Sequence, residues 1–208
     1  MPTISTLSAF ALVCLGLALT PGPNMIYLVS RSISQGRGAA LISLGGTGLG
    51  FLVYMVAAAF GITALLFAIP LAYDGLRLVG AAYLLYLAYR SFRAAPESLS
   101  GYGGQPKPLW QMYVRGIGMN LSNPKVALFF LAFLPQFTAP AHGHLVWQML
   151  TLGAIFIACA LASFAVIALL AGSLSQWLQR SRNSQTVLNR VAGGVFVGLA
   201  MKLATSHR

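Results

Sequence analysis

The sequence predicts an all-α integral membrane protein with six transmembrane helices. Three observations carry that expectation. The 208 residues are 58% hydrophobic and 7% charged, with a mean hydropathy of +0.78. A soluble domain devotes about 25% of its residues to charge, because its surface must be wetted. Long stretches carry no charge at all, and they lack the alternating polarity of barrel strands. Disorder is excluded as well, since disordered chains are polar and poor in aromatics. Only two acids occur, Asp74 and Glu97.

The charge-free stretches are Met1 to Ser30, Gly38 to Tyr73, Leu78 to Tyr89, Val126 to Gln179 and Val191 to Met201. A span needs about 20 apolar residues, so Val126 to Gln179 must hold more than one. It divides at the turn-rich Thr138-Ala139-Pro140-Ala141-His142-Gly143-His144. The expected helices cover Ser5 to Ser30, Ala39 to Ala68, Tyr73 to Phe92, Tyr113 to Phe137, Leu145 to Ser173 and Leu188 to Thr205. The sixth is the shortest and contains Lys202, which can snorkel to the interface. The first lacks a basic leader and a convincing cleavage site, so it reads as a retained helix rather than a signal peptide. The whole chain, residues 1–208, is expected to be one transmembrane domain.

The net charge of +11 would suggest a polyanion partner in a soluble protein. Here the basic residues sit in alternate loops: Arg31 and Arg37; Arg90, Arg93, Lys107 and Arg115; Arg180, Arg182 and Arg190. Lys and Arg are retained in cytoplasmic loops. That places the three basic loops in the cytoplasm and both termini outside, and it demotes nucleic acid as a partner. Cys14 and Cys159 lie deep in apolar runs and imply no disulfide framework.

The third helix begins Arg77-Leu78-Val79-Gly80-Ala81-Ala82-Tyr83, and the sixth begins Arg190-Val191-Ala192-Gly193-Gly194-Val195-Phe196. Arginine, small residues and an aromatic recur at matching offsets. The offsets suggest two repeats of three helices, about 1–93 and 110–208, which must be oppositely oriented. Inverted repeats of this kind are common in secondary transporters. Coincidental helix-packing composition is the competing explanation. Gly45, Gly46, Gly48 and Gly50 in the second helix point to close packing and form no phosphate loop.

Two motifs carry the chemistry. Thr20-Pro21-Gly22-Pro23-Asn24 interrupts the first helix, and Asn120-Leu121-Ser122-Asn123-Pro124-Lys125 interrupts the fourth. Proline removes a donor and clashes with the preceding turn. In lipid the freed carbonyls must find partners, so such breaks belong where they line a cavity. Each also starts a fresh helix N-terminus, suited to a carboxylate. Lys125 within a span is a functional candidate by default. The bland alternatives are an interfacial turn at the first break and a snorkelling Lys125 at the second. First and fourth are equivalent positions in a repeat of three. The candidate substrate-binding residues are therefore Pro21, Gly22, Pro23, Asn24, Asn123, Pro124 and Lys125.

Asp74 and Arg77 can share a helix face, either as a helix-end pair or with Asp74 as a proton-coupling carboxylate. His142 and His144 have no acid or cysteine beside them and read as loop residues. Tyr83, Tyr86 and Tyr89 read as packing or interface anchors. No catalytic constellation, metal site or cofactor motif can be assembled.

At these residues the chain resembles the lysine exporter/RhtB (LysE) family of bacterial amino-acid exporters. The carriers are Thr20-Pro21-Gly22-Pro23-Asn24, Gly80-Ala81-Ala82-Tyr83-Leu84-Leu85-Tyr86-Leu87 and Asn120-Leu121-Ser122-Asn123-Pro124-Lys125. The resemblance covers nearly the whole chain. It implies a six-helix inner-membrane carrier, not an enzyme, that exports amino acids or related metabolites using the proton gradient. The scarcity of acids argues for a neutral substrate of the threonine, homoserine or leucine kind. Its carboxylate would meet the Asn24 helix end and Lys125. Its amine would meet carbonyls freed by Pro21, Pro23 and Pro124. The expected partners are that substrate and the bilayer, with a homo-oligomer left open. Two other classes compete: a thiol-redox carrier using Cys14 and Cys159, and an accessory membrane subunit.

Overall fold

The computed structural model describes residues 2–20, 22–94, 107–139, 143–180 and 182–205, and all regular structure among them is helical. Six tracts follow one another. The first is α1 (Ile4–Leu19) and α2 (Pro23–Gln35), which meet at a bend of 56°. The second is α3 (Arg37–Ala57), continued through a π-helical turn (Ala58–Ile62) into α4 (Thr63–Ala68). The third is α5 (Pro70–Arg93). The fourth is α6 (Leu109–Leu121) and α7 (Pro124–Leu128), followed by a π-helical turn (Phe129–Phe133) and a 3-10 turn (Leu134–Phe137); its two halves bend by 52°. The fifth is α8 (Leu145–Arg180) and the sixth α9 (Arg182–Thr205).

The second and fifth tracts are each long and apolar enough to cross a membrane, and each bent pair passes the same test when taken as one span. Helices α5 and α9 have 24 residues each. At 1.5 Å per residue that length is about 36 Å, enough to span, although both carry charge.

The tracts differ from the expected boundaries mainly by being longer. Helix α2 continues past Arg31 to Gln35, and α6 starts at Leu109, ahead of Arg115. Hydropathy marks only what sits in hydrocarbon, whereas a helix can continue into the polar interface. The extensions move both breaks to the middle of their tracts. Helix α1 has 16 residues before the first break and α2 has 13 after it. The fourth tract has 13 residues before its break. A break at mid-tract is not the interfacial turn that shorter boundaries would allow.

Side-chain contacts give the direction of each pairing. Helices α3 and α6 run parallel: Gly46 faces the Tyr113 carbonyl, Gly116 faces the Ser43 carbonyl, and Gly50 lies against Asn120. Neither Gly46 nor Gly116 has room for a Cβ. In lipid, where burying apolar groups against one another gains little, such backbone contact is what holds helices together. The GxxxG glycines Gly46 and Gly50 are thus packing residues. The first and fifth tracts are also parallel: Cys14 lies near Cys159, and further along both tracts Ser32 donates to the Ala168 carbonyl at 2.6 Å. Helices α3 and α8 are antiparallel, Gly48 meeting Leu161 and Met55 meeting Gly153. Helices α5 and α9 are antiparallel too. Gly80, at the middle of α5, lies against Leu203, late in α9; Gly193, at the middle of α9, lies against Phe92, late in α5.

The tracts therefore alternate in direction, and their connections fall at two ends. At the end carrying the basic residues, Gln35 Nε2 donates to the Lys107 carbonyl (3.0 Å) and Asn189 Nδ2 to the Ala94 carbonyl (3.4 Å). Tyr27 lies there between Arg31 (5.8 Å to the ring centroid) and Arg115 (5.7 Å). At the other end, buried Gln148 exchanges two hydrogen bonds with the Ala139 backbone (2.9 and 3.0 Å) and donates to the Gly143 carbonyl (2.7 Å).

Candidate functional site

The two breaks meet. Pro23 is the first helical residue of α2 and Pro124 that of α7. Proline is suited to that position because its missing N–H has no intrahelical partner there. Asn24 and Lys125 therefore occupy the same position of the two second halves, and Gly22 and Asn123 occupy the same cap. The caps differ. Asn123 accepts from the Lys125 backbone N–H at 3.1 Å, so α7 caps itself. Gly22 has no side chain to do the same for α2.

Lys125 crosses the gap. Its Nζ donates to the carbonyls of Leu17 (3.2 Å) and Thr20 (3.1 Å), at the end of α1. Leu17 lies four residues before Pro21, which cannot supply the usual helical donor; the Thr20 backbone N–H reaches that carbonyl at 3.3 Å, and Lys125 adds a second hydrogen bond. The ammonium also lies 5.9 Å from the Phe196 ring centroid on α9. Gly22 is what lets it approach, since a Cβ there would sit 3.3 Å from Nζ and 3.7 Å from Cε. The side chain thus points inward to the other break and does not snorkel. The carbonyl freed by Pro124 is that of Asn120, and it accepts from the Asn123 backbone N–H at 3.0 Å. The Leu17 carbonyl likewise accepts from a backbone N–H, that of Thr20; what sets the first break apart is that its Leu17 and Thr20 carbonyls also take an ammonium from another tract.

A cavity of about 20 Å³ lies between the breaks, with Thr20, Gly22, Asn24, Asn123 and Lys125 as its polar lining and Phe51, Phe156 and Phe164 among its apolar walls. That is room for about one water. Asn24 is buried here, and neither its Oδ1 nor its Nδ2 has a hydrogen-bond partner. Asn120, fully buried against Gly50, has the same unmet amide. A buried amide left unpaired costs about 1–3 kcal/mol, so the unmet Asn24 amide in the cavity wall marks a place built for something polar.

Aromatic rings close the cavity toward the end opposite the basic loops. Phe156 stacks on Phe129 (4.4 Å between centroids), Phe129 lies 5.9 Å from Phe10, and Phe10 meets Phe137 edge-on at 4.8 Å. Phe129 begins the π-helical turn of the fourth tract. Such turns widen a helix locally and recur at functional sites.

Of the candidate residues, Gly22, Asn24, Asn123 and Lys125 line the cavity, and Pro23 and Pro124 shape the helix starts beside it. Pro21 lies outside the described residues. Asp74 is elsewhere, half-exposed at the start of α5 and paired with Arg77 at 3.5 Å. Cys14 is buried and Cys159 half-buried, both as free thiols. His144 ends the loop with a positive φ of 51°; His142 lies outside the described residues. No group of three or more His, Cys, Asp or Glu that could hold a metal occurs among the described residues. Two residues within the motifs were not singled out, Thr20 for its carbonyl and Asn120 for its buried amide. Both are polar residues one turn from a proline, which is the signal that could have found them.

Comparison with known proteins identifies the family. The chain matches the LysE type translocator family over residues 15–207. The chain belongs to the LysE type translocator family. It is 30% identical to a homoserine/homoserine lactone efflux protein of Salmonella typhimurium, with 96% of each chain aligned. It is equally identical to uncharacterised membrane proteins of Pseudomonas aeruginosa, over 99% of each chain, and of Vibrio cholerae, over 95% and 96%. No solved structure matches. Family membership makes this LysE type translocator a membrane protein, in keeping with its apolar helices, and points away from an enzyme.

Proposed function

We propose that this translocator exports neutral amino acids, of the homoserine or threonine kind, from the cytoplasm, driven by the proton gradient. One observation carries the reading: the first break presents two carbonyls that already hold an ammonium, that of Lys125. A carbonyl pair that accepts one ammonium can accept another. The substrate's α-ammonium would take Leu17 O and Thr20 O, and Lys125, released, would turn to the carboxylate. The uncapped N-terminus of α2 and the unmet Asn24 amide would complete the site. No acid lines the cavity to pair with a cationic side chain, which favours a neutral substrate. The efflux relative is named for homoserine and its lactone, both with an α-ammonium, a carbonyl and no second cation.

The cavity is too small for an amino acid as it stands, so transport requires the two halves to move. An inverted repeat provides that motion. Exchanging tracts one, two and three with four, five and six turns the four helix pairings described above into one another. The α3–α6 contact becomes the first tract on α8, with the same parallel sense, while α3–α8 and α5–α9 map onto themselves. The Gly80 and Gly193 contacts exchange likewise. This supports six spans in two opposed repeats, 1–93 and 110–208. The basic loops would be cytoplasmic and both termini outside, in a bacterial inner membrane.

The test is a counterflow screen of amino acids in proteoliposomes, with and without a pH gradient. Neutral amino acids are expected to exchange, with net flux rising with the gradient. Preference for lysine or arginine would overturn the substrate class, and absence of any exchange would overturn export.

A further inference from the structure

One face of α2 leads from the central cavity toward the basic end. Asn24, Tyr27, Leu28 and Arg31 recur along it at spacings of three and four, and all are buried. Asn24 is in the cavity wall. Arg31, seven residues on, lies two turns or about 10 Å further along the same face. It is only 8% exposed, and arginine is almost never so buried unless paired. Its side chain is held in place: Nη1 donates to Gln35 Oε1 at 3.3 Å, and Cζ lies 5.8 Å from the Tyr27 ring centroid. Yet its Nε is buried with no hydrogen-bond partner, and so is the Ser34 Oγ one turn on. The exposed Arg115 adds a second guanidinium, 5.7 Å from the same ring. Among the described residues the one acid is Asp74, which pairs with Arg77 at the other end. A buried cation without a counter-ion, beside a second unmet donor, fits a ligand that only accepts, which is a carboxylate. The repeat is asymmetric here as well. Counted from Pro23 and Pro124, the position of Arg31 corresponds to Ala132, fully buried beside Gly80. At this position, then, a cation stands on the basic side of the cavity and a methyl group on the other.

We propose that Arg31 and Ser34 form an entry site that takes the carboxylate of the exported solute before it reaches Lys125. The inference rests on the reading that the chain exports amino acids and that its basic loops face the cytoplasm. The Arg31 Nε–H and the Ser34 hydroxyl donate to the carboxylate oxygens. The next donors along the same face are the Asn24 amide and the uncapped start of α2, with Lys125 across the gap. The carboxylate thus moves from donor to donor down one helix face. On the far side of the cavity the equivalent Ala132 offers nothing to recapture it. Capture at that level on the entry side alone favours net movement outward at low cytoplasmic concentration.

Two measurements test the proposal. In counterflow with inverted membrane vesicles, which present the cytoplasmic face, Arg31→Gln is expected to raise the half-saturating concentration of L-homoserine by about tenfold, the worth of one charge-assisted hydrogen bond. Ser34→Ala should raise it by about threefold, the worth of a weaker one. Arg31→Lys, which keeps the cation, should return to within about threefold of the wild type. Homoserine lactone, which lacks the carboxylate, should move by less than about twofold in each variant. Independently, calorimetric titration of the purified protein with acid and lactone, in phosphatidylcholine nanodiscs with and without phosphatidylglycerol, should show the same loss for the acid alone in both lipids. An unchanged acid value in both Arg31→Gln and Ser34→Ala overturns the proposal. So does an equal loss for acid and lactone, which marks a structural role, or a loss confined to the outer face in right-side-out vesicles. A loss that requires phosphatidylglycerol overturns it too, since the site would then hold a lipid phosphate. If the wild type binds homoserine but exchanges none, the export reading fails, and the calorimetric contrast of acid with lactone still decides this site.

Discussion

Replacing Lys125 by Met keeps the length and volume of the side chain and removes the charge. In the wild type, Nζ holds the Leu17 and Thr20 carbonyls at 3.2 and 3.1 Å. If the substrate's ammonium displaces it there, those two bonds cancel between the empty and loaded states. The net gain left to Lys125 is its new bond to the carboxylate. A hydrogen bond to a charged group contributes about 1.5–3 kcal/mol, or about 10- to 150-fold in affinity. Lys125→Met should weaken homoserine counterflow by about that factor, which at low substrate concentration amounts to loss of transport. Stability should change less, because two carbonyls lose a donor while the cost of a buried charge disappears. The lactone makes no carboxylate bond, so its exchange should fall by less than about threefold, well below the value of a full charge-assisted bond. The assay is half-saturation for both solutes in proteoliposomes at matched protein content. A homoserine value within twofold of wild type would remove Lys125 from the site. An equal loss for acid and lactone would assign it a merely structural role.

Three further outcomes follow from the geometry. In Gly22→Ala the new Cβ would lie 3.3 Å from Lys125 Nζ, so the flexible ammonium has to give by a few tenths of an ångström; membrane insertion should be normal and the homoserine half-saturating concentration should change by less than about threefold, because the carbonyl bonds that lengthen are those the substrate itself displaces. Gly116→Leu puts a side chain into the Ser43 backbone on α3, where nothing flexible can give way, so overpacking of at least about 1–3 kcal/mol should appear as a lower melting temperature and reduced detergent-stable yield. The double variant Cys14→Ser, Cys159→Ser should export as the wild type does, since neither thiol lines the central cavity; loss of transport with normal insertion would revive the thiol-redox reading.

Much of this architecture was legible in the sequence because charge in a membrane protein is confined by the cost of burying it. Each of the six expected apolar stretches is helical among the described residues, with breaks where the prolines of the two motifs fall. What hydropathy does not register is a helix outside hydrocarbon, which is why Gln35, Leu109 and Arg182 as helix ends were missed. Those few residues matter, since they move the breaks from the edge of each tract to its middle. The site was legible through its prolines, which have no cheap explanation inside a span. Its ligand geometry was not. That the carbonyls of Leu17 and Thr20 take the ammonium of another tract depends on how two breaks face each other. A linear pattern does not contain that information.

The two breaks are alike in backbone and unlike in chemistry, and the difference lies at two aligned positions. At the cap, asparagine in one repeat faces glycine in the other; at the second helical position, lysine faces asparagine. The fourth tract thus satisfies its own helix start through Asn123 and sends its cation across to the first. The first tract leaves its helix start uncapped and offers its carbonyls. A symmetric pair of either kind would fail. Two capped breaks would present no free donors, and two lysines would place like charges about one small cavity, where the low dielectric makes repulsion severe. A zwitterion needs an acceptor pair for its ammonium and donors for its carboxylate. The asymmetry between Gly22-Pro23-Asn24 and Asn123-Pro124-Lys125 sets both against the same cavity. The repeat supplies the motion, and its departure from symmetry supplies the binding site.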